Sequence, residues 1–158
     1  MRTILFILFL PLRLFWRLTM PRSFPHGKPF NMRDPLVIDG DSLWHEGRRI
    51  RIWGIDAPEI DQPGGQAAKA QLARLCRMRR IHVVPRDTDV YGRIVAQLYY
   101  GRGDIGQQMV ASGYALARTR RYSRDERRAK RRPTGLWDGG CIEDPAGHRR
   151  RAAGKARA

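Results

Sequence analysis

Carboxylates and arginines gather in three short stretches of this chain: Val-Ile-Asp-Gly-Asp-Ser (37–42), Arg-Ile-Trp-Gly-Ile-Asp-Ala-Pro-Glu (51–59) and Asp-Val-Tyr-Gly-Arg (89–93). Seven of the fifteen acidic residues, Asp39, Asp41, Asp56, Glu59, Asp61, Asp87 and Asp89, lie in or beside them, in a protein of formal net charge +16. Acid concentrated inside a basic chain suits a hard-cation site that faces a polyanion. Asp39 and Asp41 are two apart, so on a strand both side chains would project from one face, and Gly40 between them permits close backbone approach. Asp56, at the end of a neighbouring strand, could complete an oxygen-donor site for a divalent metal. Glu59, just past the rigid Ala57-Pro58 step, could act as general base on a water near that metal. Arg51 and Arg93 supply planar, permanently charged forks that grip a phosphodiester and neutralise charge building on phosphorus. Each residue alone has a plainer role: Asp-Gly-Asp is more often a turn, Glu59 a surface carboxylate, each arginine a salt-bridge partner. Their joint occurrence is what raises the catalytic reading.

Positioning these groups requires a small framework rich in strands. Leu36 to Trp44 and Arg48 to Ile55 are β-rich runs separated by His45-Glu46-Gly47, which reads as a hairpin turn. The second alternates Arg49, Arg51 and Trp53 with Ile50, Ile52 and Gly54. Pro63-Gly64-Gly65 introduces a helix from about Gln66 to Met78, with Ala68, Leu72, Leu75 and Cys76 on its apolar face. Ile81 to Pro85 and Ile94 to Tyr100 are two further strands. Asp104 with Gln107 makes a capping box for a short helix through Ser112, stopped at Gly113. Ser123 with Glu126 makes another, opening a very basic helix that ends before Pro133. Leu136 and Trp137 are expected to clamp that helix back onto the domain. Short strands with Gly-rich turns and helices fit a small closed barrel carrying helices.

A chain of 158 residues with 42% hydrophobic content supports one compact domain plus tails. The charge excess is uneven. Residues 34–117 carry 11 Lys and Arg against 10 acids, residues 118–137 carry 9 against 2, and residues 1–33 carry 6 against none. A near-neutral body with basic ends fits a nucleic-acid or anionic membrane partner, with a solvated face as the bland alternative. Two cysteines, Cys76 and Cys141, are too few for a disulfide scaffold and lack zinc spacing; Cys76 reads as a buried structural thiol. Residues 1–20 form a hydrophobic targeting or membrane-anchor segment, with an apolar run from Ile4 to Leu12 and Arg13 and Arg17 beside Phe15 and Trp16. That predicts a secreted or membrane-anchored protein outside the cytoplasm, or a cytoplasmic one if translation starts at Met20 or Met32. Residues 21–33 read as a Pro-rich linker, 34–137 as the folded domain, and 138–158 as a basic, disordered tail.

The ordered set Asp-Gly-Asp, Arg-x-x-x-x-Asp-x-Pro-Glu and Asp-x-Tyr-Gly-Arg resembles the staphylococcal nuclease, or thermonuclease, family over about residues 36–137. The resemblance implies an α+β fold: an OB-fold, with a five-stranded barrel and three helices. It also implies Ca2+-dependent hydrolysis of DNA and RNA. By motif match, Asp41 and Asp56 resemble the calcium carboxylates, with the carbonyl of Ala57 as a further ligand. Glu59 resembles the family's general base, Arg51 and Arg93 its phosphate-binding arginines, Tyr91 a nucleotide-contacting residue, and Asp39 a residue beside the metal. Three departures stand out. Ala57 replaces a threonine but keeps the carbonyl. Val90 stands where a lysine is usual. Tyrosines that hold the base are replaced around 118–122 by Arg118, Thr119, Arg120 and Arg121, leaving Tyr122.

The expected partners are therefore DNA and RNA, single strands favoured, gripped more by backbone charge than by base stacking, with little sequence preference and strong salt sensitivity. The chain is expected to be monomeric, with residues 1–20 available for membrane association. A noncatalytic nucleic-acid-binding module of the same fold is the chief alternative, and a membrane-surface protein explains the charge but leaves the carboxylates without a role.

Overall fold

The computed structural model describes residues 27–138 and 144–155. The hydrophobic segment 1–20, the first six residues of the expected linker, Cys141 and residues 156–158 lie outside the described residues, and the expectations attached to them lie there too.

Nine strands are present among the described residues: β1 (Phe30–Arg33), β2 (Leu36–Val37), β3 (Ser42–His45), β4 (Arg48–Ile52), β5 (Ile55–Asp56), β6 (Arg80–Thr88), β7 (Ile94–Tyr100), β8 (Gly103–Asp104) and β9 (Leu116–Ala117). Four α-helices accompany them: α1 (Gly65–Cys76), α2 (Ile105–Ala111), α3 (Ser123–Arg131) and α4 (Pro145–Lys155), with a 3-10 turn at Gly135–Trp137. The main sheet runs β1-β6-β7-β4-β3-β2, with β8 added to β7, while β5 and β9 pair separately. β1 and β2 sit at opposite ends of that path, yet only Asp34 and Pro35 separate them in the chain. So short a link spans roughly 10 Å at most. The sheet must curl until its two edges approach, which yields the barrel expected from the strand pattern. The β4 to β7 pairing is parallel, placing Ile50 beside Ile94 and Arg51 beside Val95.

Alternation along the strands fills the barrel. Ile50 and Ile52 of β4, Ile81 and Val83 of β6, Ala96 and Leu98 of β7, and Met32 of β1 are all at most 1% exposed. Ala68, Leu72, Leu75 and Cys76 of α1 close one side of this core and Ile105, Met109 and Val110 of α2 another. Burial pushes the Cys76 thiol up to about 12, so it stays protonated and packs as a small apolar group. The hairpin between β3 and β4 turns at Glu46 and Gly47, both with positive φ, as a two-residue turn of that hand requires. A second cluster of Leu116, Ala129 and Trp137 holds α3 against the domain, the clamp anticipated for Leu136-Trp137.

Five local expectations are corrected. Leu36–Trp44 is two strands, because residues 38–41 turn the chain. The run from Arg48 breaks after Ile52, where Gly54 at φ 78° lets it turn into β5. The folded region begins upstream of Asp34: Pro29 and Pro35 frame β1, whose Met32 is buried opposite Ile81. Ser123 does not cap α3. Its Oγ donates to Arg120 O at 2.9 Å, and the Glu126 carboxylate accepts from Ala117 N at 3.2 Å, a tertiary bond that displaces the local reciprocal one. Residues 145–155, read from composition as disordered, form α4, with Pro145 at its first position and Asp144 accepting from Ala146 N at 3.4 Å. That helix makes four where three were expected.

Candidate active site

The site is built on the outer face of the barrel, beginning with the turn between β2 and β3. Ile38 N and Asp39 N both donate to Ser42 O, at 2.9 and 3.4 Å, closing the turn. Asp39 spends its Oδ1 on Asp41 N at 2.9 Å, an Asx-type bond back to its own segment. Asp39 and Asp41 are thus not two same-face strand residues: a tight turn separates their roles, and Asp41 alone reaches across the site. Glycine is required between them, since a Cβ at Gly40 would lie 2.5 Å from the Ala57 Cβ and 2.7 Å from that of Ala68. That close approach seats the turn on the 57 loop and on α1.

Asp41 is 3% exposed and its carboxylate is fully occupied by donors. Oδ1 accepts from Ser42 Oγ at 2.9 Å and from Arg51 Nη1 at 3.1 Å. Oδ2 accepts from Ala57 N at 3.2 Å and lies 3.0 Å from Arg51 Nη2. Burial raises the Asp41 carboxyl to about 7, partly countered by the Arg51 charge. The same Arg51 Nη2 donates to Asp56 Oδ1 at 2.8 Å, so one guanidinium bridges the two carboxylates. Burial works against the Arg51 charge, but Asp41 and Asp56 outweigh it and hold the group protonated beyond its ordinary range.

Asp56, also 3% exposed, ends β5 and is paired through Leu116 to β9. Two residues on, Arg118 Nη2 donates to Asp56 Oδ2 at 2.9 Å and also bonds Asp144. From α4, Arg149 Nη2 donates to Asp56 Oδ2 at 3.0 Å, and its Nη1 bonds the carboxylate of Glu59. Burial would raise Asp56, yet the hydrogen bonds from Arg149 and Arg118 prevail and hold it below the usual carboxylate range. Asp41, Asp56 and Glu59 therefore meet Arg51, Arg118 and Arg149 in one cluster. Arg149 and the pairing of Arg118 were not found from sequence. The sequence marks Arg118 only as standing where a tyrosine is usual, and Arg149 belongs to an Arg149-Arg150-Arg151 run whose spacing singles out none of them.

Arg93 stands apart from this cluster. Its Nε donates to Asp89 Oδ2 at 2.7 Å and its N–H to Asp89 Oδ1 at 3.0 Å, which shapes the turn between β6 and β7. It immediately precedes Ile94, and the parallel register puts Arg51 beside Val95. Alternation then assigns Arg51 and the position of Arg93 to the same outer face, about 8 Å apart by strand geometry. Tyr91 is 76% exposed, with the Arg93 guanidinium 5.5 Å from its ring centre. Tyr122, the tyrosine retained near the expected base-holding positions, is 1% exposed, and its hydroxyl donates to Asp104 Oδ2 at 2.9 Å. It is a core residue, unable to hold a nucleotide where it lies.

Among the described residues, no three His, Cys, Asp or Glu side chains gather closely enough to hold a metal between them. The donor chemistry still fits a hard divalent cation. Asp41 and Asp56 share one arginine, Ala57 lies against Asp41, and such ions complete their shells with carbonyl and water oxygens. The guanidinium of Arg149 lies against Asp56 and Glu59, where it competes for those same oxygens.

Residues 49–139 match the family described as Staphylococcal nuclease homologue. A relative named "Probable staphylococcal-like nuclease" from Oryza sativa subsp. japonica is 35% identical over 120 residues, covering 73% of this chain and 32% of the relative. A "Probable endonuclease" of Paracoccidioides brasiliensis is 34% identical over 134 residues, covering 66% of this chain and 39% of that one. An "Uncharacterized endonuclease" of Haemophilus influenzae is 30% identical over 125 residues, covering 72% of this chain and 70% of its own length. The chain thus spans about a third of the rice relative and most of the bacterial one. The family match includes Arg51, Asp56, Ala57, Glu59, Tyr91 and Arg93, and stops short of both Asp41 and Arg149.

Proposed function

We propose that this chain, which belongs to the staphylococcal nuclease family, is a Ca2+-dependent nuclease that hydrolyses phosphodiester bonds of DNA and RNA with little sequence preference. The observation that carries this reading is the single Arg51 guanidinium shared by the buried Asp41 and Asp56, with Glu59 joined to the same cluster through Arg149. Groups from three separate stretches of sequence meet there, as one reaction centre needs.

In the proposed site, Asp41, Asp56 and the carbonyl of Ala57 would hold the cation, and Asp39 keeps the turn that aims Asp41. When bound, Ca2+ supplies positive charge that polarises the phosphoryl group. Arg51 and Arg93 grip the non-bridging oxygens and offset the charge that develops on them. Glu59 takes a proton from the attacking water as its oxygen bonds phosphorus and the opposite P–O bond breaks. Tyr91, open to solvent beside Arg93, contacts the nucleotide.

The test is degradation of single-stranded DNA and of RNA by the full chain, with Ca2+ or with chelator. Glu59→Gln should lower turnover by about 10²-fold or more while sparing binding; unchanged turnover refutes the assignment. A specific contact favours a second reading. Arg149 neutralises Asp56 and Glu59 together, as suits a noncatalytic module that binds nucleic acid. Salt-sensitive binding with no cleavage in any divalent metal would establish that alternative.

A further inference from the structure

Helix α3 carries a cationic face that the proposed reaction centre does not use. Arg124, Arg127, Arg128 and Arg131 recur at helical spacing of three and four, and Arg132 continues the stripe at the helix end. At 100° per residue the five lie within an arc of about 140°. All five are exposed, and together they line one open cleft of about 780 Å³ that contains no acidic and no apolar residue. Among the described residues, none of the five takes part in an ion pair.

The acids of the helix lie outside that arc, toward the side turned to the domain, and are engaged there. Glu126 meets Lys130 at 3.2 Å and accepts from Ala117 N, while Asp125 accepts from Gln107 at 3.2 Å. Ala129 anchors that side, buried with Leu116 and Trp137. Helix chemistry alone does not account for the stripe. Cations in the last turn complement the helix dipole, but Arg124 in the first turn opposes it, and like charges at three- and four-residue spacing repel by a few tenths of a kcal/mol each. A face built against its own electrostatics suits a polyanionic partner.

We propose that this face is a second binding site, for the phosphate backbone of a nucleic-acid strand extending beyond the cleaved bond. The proposal rests on the nuclease reading for the origin of the strand, though not for the binding itself. From Arg124 to Arg132 the helix advances about 12 Å, enough to follow several phosphates rather than cradle one. With no aromatic side chain in the cleft, recognition is by charge and indifferent to base. A lipid surface is disfavoured because the apolar side of α3 is already buried and offers nothing to insert. The helix that carries the face is tied to the reaction centre from its domain-facing side: Glu126 accepts from Ala117 N, and the next residue, Arg118, bonds Asp56.

The test compares the full chain with a variant carrying Arg124→Gln, Arg127→Gln and Arg131→Gln, and with the corresponding triple lysine variant. Binding of a fluorescent 20-nucleotide oligothymidylate is measured by anisotropy in chelator across a salt series. The glutamine variant should bind about tenfold or more weakly, and its slope of log affinity against log salt should fall by about 2. The lysine variant should keep wild-type behaviour. With Ca2+, KM for the 20-mer should rise while kinetics on a dinucleotide stay unchanged. An unchanged salt slope, an equal KM increase on the dinucleotide, or loss of binding to phosphatidylserine vesicles without loss on the oligonucleotide would overturn the proposal. If the wild-type chain cleaves neither substrate but the glutamine variant still loses the salt slope, the nuclease reading fails and this site stands.

Discussion

Arg149 meets Asp56 across 93 residues of sequence, with its Nη2 3.0 Å from Oδ2 and 3.3 Å from Oδ1. The same guanidinium bonds Glu59, so one side chain from α4 neutralises a carboxylate proposed to hold the cation and the one proposed to accept the proton. A cation would have to share those oxygens with the guanidinium or displace it. Arg149 also lies beyond the stretch that matches the family, so the competition is carried by a segment outside it.

Removing the competitor should therefore strengthen calcium binding. Arg149→Ala is expected to tighten Ca2+ about tenfold by titration calorimetry, roughly 1.4 kcal/mol. Arg51 shares Asp56 Oδ1 with Arg149, and its bonds to Asp41 are its own and persist in that variant. Equal affinity in both proteins would mean that Arg149 leaves at no cost, and weaker binding would make it a support for the site.

The two buried aspartates should respond to pH in opposite windows. Asp41 is raised from 3.8 to about 7, so the stability it lends the metal-free fold is complete below pH 3.8 and is lost as pH rises through 7. Asp56 is lowered, so its contribution is present above 3.8 and is lost only as pH falls through its depressed value. Urea unfolding of the metal-free chain at pH 5 and pH 8 separates them. Relative to Asp41→Asn, the wild type should lose on the order of 2 kcal/mol between those pH values. Parallel pH curves for the two proteins would show that Arg51 holds Asp41 ionised throughout.

Periodicity and local turn chemistry were legible in the sequence because they are short-range. Ile50 and Ile52 alternate with Arg49 and Arg51, and the structure buries the first pair while Arg51 faces the site. Asp104 caps α2 by accepting from Gln107 N at 3.1 Å, as its spacing predicts. Ser123 and Glu126 show the same spacing, yet Ala117 N takes the Glu126 carboxylate, and no local pattern reveals that competitor. Asp-Gly-Asp is more often a turn, and the structure has one there, but the requirement for glycine comes from Ala57 and Ala68, distant in sequence. The contact of Arg149 with Asp56 was illegible for a different reason: a basic tail reads the same whether it is solvated or folded onto acids.

Tyr122 provides a test of where substrate recognition does not lie. Its ring is 1% exposed and meets Trp53 edge-on at 6.1 Å between centroids. Burial pushes its phenol up to about 12, so it remains a proton donor, and Asp104 is its acceptor. Asp104 is itself 5% exposed and already caps α2, so Tyr122→Phe removes a bond from a buried carboxylate. The loss should be about 1 to 3 kcal/mol in denaturant unfolding. KM for an oligonucleotide should not change, because the hydroxyl faces the core and α2 rather than the Asp41 and Asp56 cluster. A raised KM at full stability would instead return Tyr122 to the nucleotide and require the segment after β9 to open when substrate binds.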